Sequence, residues 1–388
     1  MPSTAQRHPT LFQSYAERAE QPTNAPLATY LLRLIHIKRT NLCVSADVNT
    51  TTELLRVAEE VGDHICVLKT HADIIDDFGD KTVRGLNEIS RRKKFLVFED
   101  RKFGDIGSTL QQQYTRGPLA IVRWASIVNA ALFPGPAVIT ALAEAAQKAI
   151  AAHNTSVSTS ISASPAVSIV DSGVDDESLA GDDDGPANVS EIEEEDDDED
   201  ERKSRKQSVV SVSTTISTKT EAMSPQPPLR PSLSRETTQE SSESDDDSDP
   251  LAQLAELGPP PFYRSLLLLA QMSSADNLFT PEYTSACVHH ARQNQNFVVG
   301  FIAQRSLNEK EGDNFITMTP GVQLSAGGDA MGQQYNTPRK VIGDGGADII
   351  IVGRGILKAE DRGKAAFEYR KQGWKAYDER IRAGRKKR

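Results

Sequence analysis

The chain has no run of apolar residues near the ~20 that a membrane-spanning helix needs; its longest candidate, Ser265 to Met272, has the length of a buried strand. It has only three cysteines in 388 residues, Cys43, Cys66 and Cys287, far apart and forming no CxxC pair. That argues against a disulfide scaffold or a zinc site, and it fits a reducing compartment. The N-terminus MPSTAQRHPT lacks the charged-then-apolar pattern of a signal peptide. Aromatics make up only 6%, and no aromatic-basic platform or helix-turn-helix pattern occurs, so neither nucleic acid nor membrane is an expected partner. A cytoplasmic protein is the expectation.

What is present is unevenly spread. The net charge is −11, but residues 151–258 hold 26 of the 55 acids and only 7 of the 44 bases. The rest is therefore basic, with 37 bases against 29 acids, which suits an anionic ligand. Residues 151–258 are rich in Ser, Thr, Asp and Glu and include the run Glu193 to Glu201, all acidic. Such a segment buries too little apolar surface to offset its ordering entropy, so it is expected to be a disordered insertion. Arg205-Lys206-Gln207-Ser208 and Ser244-Asp245-Asp246-Asp247 have the form of phosphorylation sites. Arg202–Lys206 and Arg385–Arg388 have the form of nuclear signals or of solvated charge.

The flanks, 1–150 and 259–388, alternate short apolar runs with helical patterns. Strands are expected over Leu42–Val48, His64–Thr70, Phe95–Asp100, Trp124–Ala130, Ser265–Met272, Phe297–Ile302, Phe315–Thr319 and Asp348–Gly353. A capping box at Thr50 and Glu53, with Gly62 as the stop, predicts a helix after the first strand. Helical patterns also cover Lys81–Arg92, with Val83, Leu86 and Ile89 on one face, and Ala137–Ala152. This alternation argues for parallel βαβ units, and runs such as Ile349-Ile350-Ile351-Val352 argue for strands buried on both faces. Pattern alone leaves a barrel and an open doubly wound sheet both possible. Eight units in about 280 residues favour a (β/α)8 TIM barrel, strands one to four before the insertion and five to eight after it, closed by a C-terminal helix and basic tail. The insertion then falls in an αβ connection, on the face opposite a barrel's active site.

Charged residues close three successive strands: Asp47 the first, Lys69 the second, Asp100 the third, with Lys102 just beyond. Polar groups at that end of barrel strands read as catalytic. Singly, each is equally a helix cap or a surface charge. Asp100 and Lys102, two apart, face the same side in extended chain, while Asp105 follows a turn at Gly104. A salt-bridged corner is the bland alternative. Near the other end, Gly353-Arg354-Gly355 follows strand eight, and Val322–Thr337, with Gly327, Gly328 and Gly332, follows strand seven. Loops after strands seven and eight are the recurring phosphate site of such barrels, and Arg supplies the fork a phosphate prefers.

Phe98-Glu99-Asp100-Arg101-Lys102-Phe103-Gly104-Asp105-Ile106-Gly107 resembles the signature of the orotidine 5′-phosphate decarboxylase family in its eukaryotic, fungal-type form. So do Leu42 to Val48, Ile65 to His71, Gly300 to Arg305, Met318 to Val322, Gly332-Gln333-Gln334-Tyr335 and Ile351 to Gly355, in order. The resemblance covers roughly 25–150 and 259–380, and the acidic insertion has no counterpart in it. It implies a cofactor-free decarboxylation of orotidine 5′-phosphate to UMP, in a homodimer with shared sites. Asp100 would face the substrate carboxylate and Lys102 would protonate C6. Lys69 would complete an alternating charge row and, with Asp47, hold the ribose hydroxyls. Asp105 and Thr109 would act in the partner subunit's site. Ser273, or Ser274 if the alignment slips by one, would bond the pyrimidine. Pro320 and Gly353 would line the substrate site, and Gln333, Tyr335 and Arg354 would grip the phosphate.

The chemistry fits these residue types. Negative charge left at C6 has no electron sink, and a fixed ammonium beside it acts where the charge grows. Opposite charges ~4 Å apart gain ~4 kcal/mol at an effective dielectric of ~20, well below the 8–23 kcal/mol or so that enzymes supply. The remainder would come from remote binding energy at the phosphate. Two rival readings are a magnesium-dependent sugar-phosphate decarboxylase or aldolase of the same superfamily, sharing Asp-x-Lys-x-x-Asp, and an inactive ligand-sensing barrel acting through its insertion. On the decarboxylase reading, deleting residues 155–255 leaves activity largely unchanged. Only about forty residues precede strand one, too few to carry a fused phosphoribosyltransferase.

Overall fold

A computed structural model describes residues 7–163, 212–220, 249–325, 327–328 and 334–385. Eight parallel strands close into a barrel: β1 (Leu42–Ser45), β2 (Val67–Thr70), β3 (Leu96–Phe103), β4 (Ile127–Ala130), β5 (Ser265–Leu269), β6 (Val298–Ile302), β7 (Ile316–Thr319) and β8 (Ile349–Val352). Each pairs with the next, and β8 returns to β1 with Ile350 opposite Leu42. The eight expected strands are all present, in order and mostly shorter than their apolar runs. The open-sheet alternative is excluded by the β8–β1 pairing. Near-continuous burial along β1, β2, β4, β5, β6, β7 and β8 follows from having side chains on one face and helices on the other.

The helices are α1 (Tyr15–Ala19), α2 (Pro26–Lys38), α3 (Thr51–Val61), α4 (Asp80–Lys93), α5 (Gly107–Thr115), α6 (Ala137–Asn154), α7 (Pro250–Leu257), α8 (Pro281–Gln293), α9 (Arg354–Leu357) and α10 (Arg362–Arg385). In α3, Leu54, Val57, Ala58 and Val61 are buried, as their spacing requires. Only half of the expected capping box forms. Thr50 accepts from the Glu53 amide at 3.3 Å, while the Glu53 carboxylate is drawn to Arg56 and Arg362 instead. Two connections break the one-helix-per-strand rhythm. Residues between β6 and β7 carry no helix, and the described residues from β7 to β8 carry a π-helical turn, Arg339–Asp344. β6 can lie against β7 only because Gly300 has no side chain; a Cβ there would stand 1.8 Å from the Ile316 carbonyl oxygen.

Segments outside the barrel seal its N-terminal end. Arg18 of α1 pairs with Asp348, just before β8, and donates to Asn314 Oδ1 at 2.8 Å and to the Phe315 carbonyl at 3.2 Å. Tyr15 donates to the Asp348 carbonyl at 2.8 Å and stacks on Tyr377 of α10. The buried Lys38 ammonium, at the end of α2, meets the carbonyls of Gly62, Ile65, Lys93 and Lys94 at 2.6–2.9 Å. It thereby ties the C-terminal ends of α3 and α4 to α2.

The chain divides into two compact units, Met1–His153 with Pro225–Arg388, and Asn154–Ser224. The first contains the barrel. In the second, Thr155–Ala163 and Val212–Thr220 pair as an antiparallel ribbon, consistent with their Ser/Thr/Val/Ile content. Most of the insertion expected over 151–258 lies outside the described residues, with the sites at Ser208 and Ser244 and the Arg202–Lys206 patch. The parts that are described narrow it. α6 runs on to Asn154, and α7 begins with Asp249 capping the Leu251 amide at 3.0 Å and Pro250 in the first turn. Leu254 and Leu257 of α7 pack against the core. A deletion to residue 255 would therefore cut into the folded unit. Among the described residues no helix is long and apolar enough to cross a membrane.

Candidate active site

The C-terminal ends of the strands surround a pocket of about 270 Å³. Its polar lining includes Ser45 and Asp47 from the end of β1, Lys69 from β2, Asp100 and Lys102 from β3, Asn129 from β4, Ser273 after β5, and Gln323, Tyr335 and Arg354 from the last two loops. Phe98, Leu269, Met272, Ile302 and Ile351 supply an apolar wall. Pro320, Gly321, Val322, Gly353 and Gly355 complete it. A Cβ on Gly353 would stand 3.3 Å from Ser45 Cβ and 3.6 Å from Asp47 Oδ2, so a side chain there would press on the end of β1.

Four charges form an alternating row. Lys102 Nζ lies 2.8 Å from Asp100 Oδ1, Asp100 Oδ2 lies 3.0 Å from Lys69 Nζ, and Lys69 Nζ lies 3.3 Å from Asp47 Oδ1. Burial opposes the ionised form of Asp100, but its contact with the His71 imidazole and the ammonium groups of Lys69 and Lys102 outweigh it and hold its carboxyl well below the ordinary carboxylate range. Burial likewise works against the charge on Lys69, and Asp100 and Asp47 reverse it, raising the ammonium's pKa. Asp47 is lowered, against its own partial burial, by Lys69 and by the hydroxyl of Ser45. At neutral pH the row is thus fully charged from Asp47 to Asp100.

Asp100 and Lys102 do not share a side by simple extension, as their spacing implied. The β3–β4 register shifts between Glu99 and Phe103, and Lys102 adopts a left-handed backbone with φ 51°. A bulge of this kind re-aims side chains beside a site, and the strained residue needs support. Asn129 supplies it. Its Oδ1 accepts from the Lys102 amide at 2.7 Å, and its Nδ2 donates to Asp100 Oδ1 at 2.7 Å. Asn129 escaped the sequence reading, although a lone Asn inside Ile127-Val128-Asn129-Ala130 was a visible signal. His71 escaped too. Its Nε2 lies 2.7 Å from Lys69 Nζ and 3.3 Å from Asp100 Oδ2.

The structure brings Arg354 and Tyr335 together, the guanidinium 5.6 Å from the ring centre. Ser273 lines the pocket and Ser274 does not, and the Ser273 carbonyl accepts from the Gln334 amide at 3.3 Å. Gln333 lies outside the described residues, as does part of the expected Val322–Thr337 loop. Asp105 and Thr109 do not line the pocket. Asp105 is half-buried and bonded to Gln113 Nε2 at 2.9 Å, and Thr109 is exposed on α5.

The family model for the orotidine 5′-phosphate decarboxylase / HUMPS family matches residues 40–225 and 231–369. The chain belongs to the orotidine 5′-phosphate decarboxylase family. The orotidine 5′-phosphate decarboxylase of Aureobasidium pullulans is 46% identical over 372 residues, covering 96% of each chain. That of Hypocrea atroviridis is 42% identical, covering 96% of this chain and 99% of the relative. The matched spans take in both halves of the barrel, from before Asp47 to beyond Arg354.

Proposed function

We propose that this chain converts orotidine 5′-phosphate to UMP and carbon dioxide, the last step of de novo pyrimidine biosynthesis, with no cofactor. The observation that carries the reading is the alternating row Asp47–Lys69–Asp100–Lys102 along one wall of a pocket that also holds Tyr335 and Arg354. Arg354 and Tyr335, with Gln333, hold the phosphate, and the Arg fork suits its oxygens. Asp47 and Lys69 hold the ribose hydroxyls, Ser273 bonds the pyrimidine edge, and the ring lies against the apolar wall. The substrate carboxylate then meets Asp100, whose ionised state makes the contact repulsive until carbon dioxide leaves. The C6–carboxylate bond breaks, its electron pair stays on C6, and Lys102 Nζ delivers a proton there. The Lys102 side chain is 40% exposed, which lets solvent reprotonate it between turnovers.

Lys69 occupies the space between Asp47 and Asp100 that a bridging divalent cation would need, which supports the cofactor-free reading over a magnesium enzyme. Loss of ultraviolet absorbance from orotidine 5′-phosphate, with and without EDTA, tests it. Steady loss in both is expected. No loss in either would sink the decarboxylase reading, and loss only without EDTA would sink the metal-free part. A cytoplasmic location belongs to the proposal, and three buried free thiols fit a reducing compartment.

A homodimer with shared sites is part of the same reading. Ile106, Phe133 and Leu278 are 59%, 63% and 86% exposed, on the loops after the neighbouring strands β3, β4 and β5. Phe133 stacks on Tyr283 and meets Phe279 edge-on. Apolar exposure on adjoining loops suits an interaction surface, and Asp105 and Thr109 lie in the same β3 loop and helix. Lys102→Ala and Asp105→Ala variants should each be nearly inactive. After unfolding and refolding together they should recover about a quarter of wild-type activity, because half the dimers then hold one intact site of two. No recovery would count against shared sites.

Removing residues 156–248, which spares α7, is expected to leave kcat within about twofold, since a loop in an αβ connection is far from the chemistry. A large fall in kcat would assign the insertion a part in turnover.

A further inference from the structure

β3 carries two adjacent carboxylates, and the proposed chemistry uses only Asp100. Strand alternation sends them to opposite faces. Phe98 and Asp100 line the pocket, while Glu99 turns away from it and is fully buried. A carboxylate in such a place requires partners. Thr70 Oγ1 donates to Glu99 Oε2 at 2.6 Å, and the Ala72 amide donates to both oxygens at 3.0 and 3.1 Å. Burial pushes the Glu99 carboxyl up to about 7, and the Thr70 and Ala72 bonds only partly oppose that rise.

We infer that Glu99 is a positioning residue for the charge row: from behind the sheet it fixes the turn that presents Lys69 and His71 to Asp100. The inference rests on the row being the site of decarboxylation. Thr70 follows Lys69 directly, and Thr70 and Ala72 flank His71. Thr70 is also the register partner of Glu99 across β2 and β3. One carboxylate therefore grips the chain on both sides of the imidazole, whose Nε2 stands 2.7 Å from the Lys69 ammonium and 3.3 Å from Asp100. Lys69 is held by its strand up to Thr70, but beyond it the chain leaves the sheet for the short turn Ala72–Ile74. The ladder bonds end there, and Glu99 takes over the Ala72 amide. Without that acceptor, the amide and the Thr70 hydroxyl would lose their partner inside a buried layer. The turn would then relax, and a shift of about 1 Å in a reacting group can cost ~10²-fold in rate.

The test compares wild type, Glu99→Gln, Glu99→Ala and Thr70→Val. Thr70→Val removes the 2.6 Å bond at nearly constant volume and serves if Glu99→Ala fails to fold. For each protein, kcat, UMP affinity and the ring spectrum of 15N-labelled histidine are measured, with His71 assigned from a His71→Gln sample. Glu99→Ala is expected to lower kcat about tenfold or more while UMP affinity, set by the phosphate end, changes by less than about threefold. Thr70→Val should move kcat the same way by a smaller factor, and Glu99→Gln, which keeps an acceptor for Ala72, should recover most of the loss. The His71 resonances should shift in Glu99→Ala and Thr70→Val and stay near wild type in Glu99→Gln. Wild-type kcat in both Glu99→Ala and Thr70→Val, a loss of kcat matched by equal loss of UMP affinity, or unmoved His71 resonances would each overturn the inference. An inactive wild type whose His71 resonances respond as described would remove the decarboxylase reading and leave Glu99 as the support of the turn.

Discussion

Lys102→Ala is expected to lower kcat for orotidine 5′-phosphate by at least ~10³-fold. The ammonium is the group placed beside Asp100 with enough exposure to exchange protons with solvent. At ~4 Å and an effective dielectric of ~20, its attraction for charge growing at C6 is ~4 kcal/mol, about three decades in rate. Loss of a general acid alone typically accounts for ~10²–10⁴-fold, and the two effects overlap because one group carries both. The fold should survive. Removing Lys102 leaves Asp100 paired with Lys69 at 3.0 Å and with Asn129 at 2.7 Å, so no buried charge is orphaned. Relief of the left-handed backbone is neutral at best, since Ala there is strained as well. A stopped assay on purified protein with an unchanged melting temperature checks both halves. Turnover above about 1% of wild type would refute the role given to Lys102.

Arg18→Ala should do the reverse, unfolding the protein earlier while sparing the chemistry. Arg18 and Asp348 are both buried. Truncation would leave Asp348 with the Thr317 amide at 2.9 Å as its remaining hydrogen-bond donor. Breaking one side of a buried pair costs about 3–5 kcal/mol, on the order of 10 °C in Tm for a chain of this size. Residues 315 and 348 sit just before β7 and β8, at the end of the barrel opposite the pocket. At 25 °C, kcat should therefore stay within about twofold. A calorimetric scan and a turnover assay on the same sample separate the two effects. A Tm within about 2 °C of wild type would show that α1 contributes little to closing the barrel.

The elements that repeat a local rule were legible in the chain. Eight apolar runs with helical patterns or helix-length gaps between them fall where β1 to β8 lie, because strand burial on both faces leaves an uninterrupted apolar signature. Leu54, Val57, Ala58 and Val61 announced the buried face of α3. α7 was hidden within an acidic, Ser-rich context, although Asp249-Pro250 followed by Leu251, Leu254 and Leu257 is a start signal with a helical stripe. The missing β6–β7 helix could not be read from spacing, since a helix-length gap does not oblige a helix.

Residue types and strand ends alone determined that Asp47, Lys69, Asp100, Lys102 and Arg354 would carry charge on one rim of the barrel. Chemistry of that kind is written in a few charged letters among apolar ones. Only the tertiary structure decided how they meet. Closure of β8 on β1 brings Arg354 into the same pocket as residues some 250–300 positions earlier. The β3 bulge, rather than a two-residue period, aims Lys102 at Asp100. It also decided which uncharged or unremarked groups serve the row: Asn129 holding the strained Lys102 backbone, His71 between Lys69 and Asp100, and Glu99 behind the sheet. Their identities depend on register and on which face of a strand is buried, and both are set by packing among strands that local sequence does not see.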